Sequence, residues 1–119
     1  MADNSSGAAG ERYAADYLKG AGYRIAAKNF SCRLGEVDII CENDRYIVFA
    51  EVKTRRDTGH GEAREFVTSA KQRRVIKAAQ YYLVSHPSER QPRFDVIEVY
   101  LPAGKGHVIN HIEDAFELN

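Results

Sequence analysis

An α/β fold, a mixed central β-sheet flanked by helices, is predicted by three observations. Two segments carry apolar residues at helical spacing. Several short runs are rich in β-branched and aromatic residues. The two kinds of segment interleave along the chain instead of segregating, which is the pattern of a layered α/β domain. A length of 119 residues, with 44% hydrophobic and 29% charged, is that of one globular domain able to bury a core unaided. The longest wholly apolar run, residues 47–50, is far short of the ~20 residues a bilayer span requires. Two cysteines, Cys32 and Cys41, are too few for a disulfide framework. With no basic-then-apolar leader either, the expected setting is a reducing cytoplasm with no membrane association.

The elements follow in order. Residues 1–7 read as a loose leader of small polar residues, and residues 8–119 as the single domain. The first helix is expected over 8–19, stopped by Gly20 and Gly22, with Ala14, Ala15 and Leu18 on one side. Glu11 falls on that same side; its plain explanation is the preference of a helix's first turn for negative charge. A first strand spans 23–30. The next two, 36–41 and 46–53, are joined by Glu42, Asn43, Asp44 and Arg45 and read as a hairpin. A loop with Thr58, Gly59 and Gly61 leads to a second helix over 69–85, closed by His86 and Pro87. Residues 93–101 form a fourth strand, 108–112 a candidate fifth, and 113–118 a candidate short terminal helix.

A net charge of zero conceals segregation. Residues 1–50 sum to −1, residues 51–93 to +5 and residues 94–119 to −4. A basic face of this kind suits a polyanion. It equally describes a solvated basic helix beside an acidic tail, which is the plainer reading.

The hairpin is where chemistry concentrates. Taking Cys41 and Tyr46 as the last pair before a four-residue turn sets Asp38 opposite Phe49 and Glu36 opposite Glu51. Glu36, Asp38, Glu51 and Lys53 then share one face, with Asp38 and Glu51 diagonal neighbours about 7–8 Å apart. A one-residue slip would put Asp38 and Glu51 on opposite faces. Like charges this close repel, and one lysine against three carboxylates leaves negative charge over. A hard divalent cation, Mg²⁺ or Mn²⁺ in its place, would neutralise it, since one or two carboxylates plus water is the ligation Mg²⁺ prefers. Ordinary exposed hairpin charges are the alternative. His60, His86, His107 and His111 show no ligand spacing and read as surface or loop residues; the two cysteines make no zinc pattern.

Together these segments resemble a known family. Gly10-Glu11 with Ala14 and Tyr17-Leu18, then Gly35-Glu36-Val37-Asp38, then Phe49-Ala50-Glu51-Val52-Lys53-Thr54-Arg55 are similar to the YraN-like family of uncharacterised bacterial proteins. Lys71, Ala78-Ala79 and Arg93-Phe94-Asp95-Val96 continue the match across nearly the whole chain. That family resembles Holliday-junction resolvases and the restriction-endonuclease-like fold with its PD-(D/E)xK site. The resemblance implies a restriction-endonuclease-like core, Asp38 and Glu51 as metal ligands, Lys53 as catalytic lysine and a contribution from Glu11. Val37 stands where the pattern has proline.

The expected function is metal-dependent endonucleolytic hydrolysis of phosphodiester bonds in DNA, structured or branched. Lys71 would reach the same phosphate, while Arg55, Arg56, Arg73 and Lys77 would track the backbone. Resolvase-like relatives act in pairs, which implies a homodimer. A non-catalytic nucleic-acid-binding module with the same fold is the alternative, resting on the basic segment 51–93.

Overall fold

Alternation and turn chemistry build the sheet, and two helices seal its faces. A computed structural model describes residues 5–56, 67–101 and 106–117. Helix α1 spans Ser5–Gly20, and strands β1 (Arg24–Cys32), β2 (Gly35–Glu42) and β3 (Tyr46–Arg56) follow it. Helix α2 (Ser69–Ser85), β4 (Gln91–Leu101) and β5 (Val108–Phe116) complete the chain. The five strands lie in the order β1-β2-β3-β4-β5, antiparallel except for the parallel pair β3–β4. A parallel neighbour requires a crossover, and α2 lies within it. The mixed sheet flanked by two helices is the fold class expected, and it is compatible with a nuclease-like core.

Strand β3 is central and covered on both sides, which is why residues 47–50 are apolar without alternation. Val48 and Ala50 pack with Ala14, Ala15 and Leu18 of α1, whereas Ile47 and Phe49 pack with Val75, Ala78 and Tyr82 of α2. Two glycines permit close layering. A Cβ at Gly10 would lie 2.0 Å from Thr54 Oγ1, and one at Gly35 would lie 2.1 Å from the Arg74 carbonyl oxygen. Helix α1 therefore sits directly on β3, and α2 directly on the start of β2.

Three expectations are corrected. Helix α1 begins at Ser5, three residues ahead of its expected start at residue 8. The hairpin turns tighter than four residues. Asn43 N–H donates to the Tyr46 carbonyl, and Asn43 Oδ1 accepts from the Arg45 and Tyr46 amides at 2.9 and 2.8 Å. Asp44 and Arg45 alone make the bend, and Cys41 pairs with Val48 instead of Tyr46. Finally, residues 113–116 are not helical. They continue β5, with Phe116 buried against Phe94 and a left-handed residue, Asp114 (φ 55°), taking up the irregularity opposite Asp95. Burying Phe116 on the sheet outweighs the local helical signal. The loop containing Thr58, Gly59 and Gly61 lies outside the described residues, as do residues 1–4, 102–105 and 118–119. No helix among the described residues is long and apolar enough to cross a membrane.

Candidate active site

The hairpin register differs from expectation by two residues, an even number, so the paired residues 39–42 and 47–50 keep the faces expected of them. Asp38 and Glu51 consequently fall next to each other, one step past the pair Ile39–Ala50, instead of on a diagonal. There the two strands part. Residues 35–37 stay paired with β1 and residues 51–56 with β4. Within the fork the Val52 amide donates to Asp38 Oδ2 at 2.8 Å, so the aspartate replaces a lost ladder bond and is fixed by it.

Glu51 follows Ala50 and points to the α2 side, where it is only 5% exposed. Lys71, in the first turn of α2, places Nζ 3.6 Å from Glu51 Oε2 and 3.6 Å from Glu36 Oε2. Its position is set by the cap: Thr68 Oγ1 accepts from the Lys71 amide at 3.1 Å, so the helix starts over the fork. Lys53 lies two residues beyond Glu51 on the same face of β3, close enough for its charge to act on both carboxylates.

These environments are costly for the ionised acids. Burial, then the charge of Asp38, push Glu51 up to about 7, against the opposing pull of Lys71 and Lys53. Asp38 is also raised, chiefly by burial, although the Val52 amide and Lys71 favour its ionised form. Glu11 approaches from α1, its Oε1 accepting from Asn29 Nδ2 at 3.2 Å. Partial burial raises it, the Asn29 bond works the other way, and the charge of Asp38 adds to the rise. Asn29 is itself left-handed (φ 54°), at the β1 position facing Asp38.

The fit to a hard cation rests on one atom. Glu51 Oε1 is buried and has no hydrogen-bond partner, an acceptor left open beside a second carboxylate. Among the described residues no three His, Cys, Asp or Glu side chains form a metal-holding group. A two-carboxylate, water-completed site is therefore the kind these residues can offer, and it is the kind Mg²⁺ takes.

The predicted phosphate-tracking residues divide. Lys71 joins the cluster. Arg55 is half-buried, with 15% of its side chain exposed, and pairs with Glu98 at 3.3 Å. Arg73 and Lys77 are exposed on the side of α2 away from the sheet, where they border a groove with Gln80 and Glu117. The Arg56 side chain lies outside the described residues.

A profile of the uncharacterised protein family UPF0102 matches residues 10–99, which include Glu11, Asp38, Glu51, Lys53 and Lys71. The chain belongs to family UPF0102. The expected YraN-like membership is thereby borne out. Among its relatives, a UPF0102 protein of Caldanaerobacter subterraneus subsp. tengcongensis is 46% identical over 113 residues, covering 92% of this chain and 93% of the relative. One from Pelobacter propionicus is 44% identical over 119 residues, covering 98% and 85%. One from Geotalea uraniireducens is 46% identical over 119 residues, covering 98% and 94%.

This UPF0102 chain also holds a polar network that the sequence reading did not assemble. Asp95, fully buried, accepts from Arg93 Nε and Nη2 at 2.9 and 2.8 Å and from the Asp114 amide at 3.0 Å. His111 Nε2 lies 2.7 Å from its Oδ2, and His111 Nδ1 lies 2.9 Å from the Tyr17 hydroxyl. The His111 side chain is thus only 7% exposed and sits on β5, correcting its assignment as a surface or loop residue. Burial works to raise Asp95, but the hydrogen bonds from His111, Arg93 and Asp114 outweigh it and hold the carboxyl low. Arg93 and Asp95, two apart on one strand face, were the available signal. The buried Cys41 thiol is pushed up to about 12, chiefly by burial, which leaves it chemically inert.

Proposed function

We propose that this protein is a divalent-metal-dependent phosphodiesterase acting on DNA, with structured or branched duplexes as its substrate class and the cytoplasm as its setting. The observation that carries the reading is the buried pair Asp38–Glu51 at a strand fork, with an open acceptor on Glu51 and two lysines beside it. Asp38 and Glu51 would hold Mg²⁺ or Mn²⁺, and Glu11, coming from the α1 side, is near enough to Asp38 for the two charges to interact. The metal, when bound, supplies polarisation of a phosphate oxygen and an acidified water.

The remaining work belongs to the chain's own groups. The Val52 amide keeps Asp38 from turning away, so the acid is positioned before substrate arrives. Lys53, rigidly mounted on the central strand, presents positive charge where the phosphate gains negative charge. The capped first turn of α2 brings Lys71 to the same region, where its charge favours an anion. Arg73 and Lys77 lie further off, on the outer side of α2, and serve only more distant phosphates. The nuclease reading stands on this geometry and on the motif resemblance.

The test is cleavage of branched and linear DNA with Mg²⁺ or Mn²⁺ by the wild type and Asp38→Ala. Metal-dependent cleavage by the wild type, lost in the variant, is the expected result. Salt-sensitive DNA binding without cleavage of any substrate would favour the non-catalytic binding module instead. Cleavage that survives unchanged in Asp38→Ala would remove the assignment.

A further inference from the structure

We infer that Lys71 is the site's own exchangeable counter-cation, held between Glu36 and Glu51 until a divalent ion enters and then released to the substrate's phosphate. This rests on the function proposed above and adds how the site is loaded.

The argument starts from the position of the amine. Lys71 Nζ lies 3.6 Å from both Glu51 Oε2 and Glu36 Oε2, and it is the only cation paired with Glu51 among the described residues. The backbone beneath it is fixed. Thr68 caps its amide, Gln72 Nε2 donates to the Val67 carbonyl at 2.9 Å, and Gly35 lets the helix press against β2. The ammonium, in contrast, ends a flexible four-carbon stem, and the side chain is 30% exposed.

Its two partners differ. The side chain of Glu51 is 7% exposed and belongs to the metal-holding pair, whereas that of Glu36 is 50% exposed at the rim. A divalent ion bound to Glu51 repels an ammonium sharing that carboxylate. Glu36 offers the displaced amine an outer resting place without any movement of α2. From there a phosphate is the next anion within reach. Metal and substrate binding then become coupled through one side chain.

Lys71→Met should therefore move two affinities in opposite directions. A unit charge close to a divalent ion, screened by water, alters binding by roughly 5–10-fold. Mn²⁺ affinity, measured by calorimetry without DNA, is expected to rise by about that factor. Affinity for branched DNA in Ca²⁺, measured by fluorescence anisotropy, is expected to fall several-fold. Lys71→Arg should return both towards wild type, which a loss of folding would not reproduce. Glu36→Gln, away from the helix, gives a second reading: it leaves Lys71 on Glu51 alone and should weaken Mn²⁺ binding. Mn²⁺ affinity that is unchanged or lower in Lys71→Met, or two affinities moving together, overturns the inference alone when the wild type still binds Mn²⁺ and cuts DNA. A wild type that binds no Mn²⁺ overturns the functional reading and this inference with it.

Discussion

Replacing Glu51 by Gln should stabilise this protein, and by an amount that depends on pH. In the folded chain the Glu51 carboxyl titrates at about 7, against 4.5 for an unperturbed one, because it is buried beside Asp38. The folded state therefore binds the proton more tightly than the unfolded chain. The associated stability is fully present below pH 4.5 and is lost as pH rises through 7. At about 1.4 kcal/mol per unit, the ionised pair costs roughly 3 kcal/mol above neutrality, shared between two groups that titrate as one system. Gln has the shape of the protonated acid and no charge to lose. In chelator, urea unfolding should show Glu51→Gln about 2–3 kcal/mol more stable than wild type at pH 8. The two should be nearly equal at pH 5. A constant offset across this range, or a destabilised variant at pH 8, would refute the reasoning that burial of paired acids dominates this site.

The opposite outcome is expected where a buried acid is fully partnered. Asp95→Asn leaves the nearly buried Arg93 and His111 without their anion and should cost roughly 3–5 kcal/mol in urea unfolding at neutral pH. A loss below about 1 kcal/mol would mean the network is dispensable. Gly35→Ala drives a Cβ to 2.1 Å from the backbone oxygen of Arg74, which no rotamer change relieves. It should cost roughly 1–3 kcal/mol in the same assay, and a neutral substitution would show that α2 does not bear on β2 as described.

Much of the fold can be read from the chain because local signals and packing agree. The apolar stripe of α1 and the unalternating apolar run of β3 each name their own element. The strand fork does not announce itself, since it depends on which neighbour each half of β2 and β3 keeps. The hairpin register shows why turn chemistry matters: Asn43 folds its side chain into the bend and shortens it by two residues. Because the shift is even, residues 39–42 and 47–50 keep their faces despite the error in pairing, and Lys71 of α2 reaches both Glu36 and Glu51. The terminal segment misleads for another reason. Its local helical pattern is overridden by Phe116, whose place in the core is fixed by Phe94, a residue distant in sequence. His111 is invisible for the same reason, its partners Tyr17 and Asp95 lying on other elements.

Thermal melting at pH 8, with and without millimolar Mg²⁺, bears most directly on the claim that Asp38 and Glu51 form a cation site. A ligand that binds only the folded chain raises its melting midpoint. Wild type should therefore melt higher in Mg²⁺, while Glu51→Gln and Asp38→Asn should show no such rise. An equal rise in all three proteins, or none in the wild type, would contradict the account.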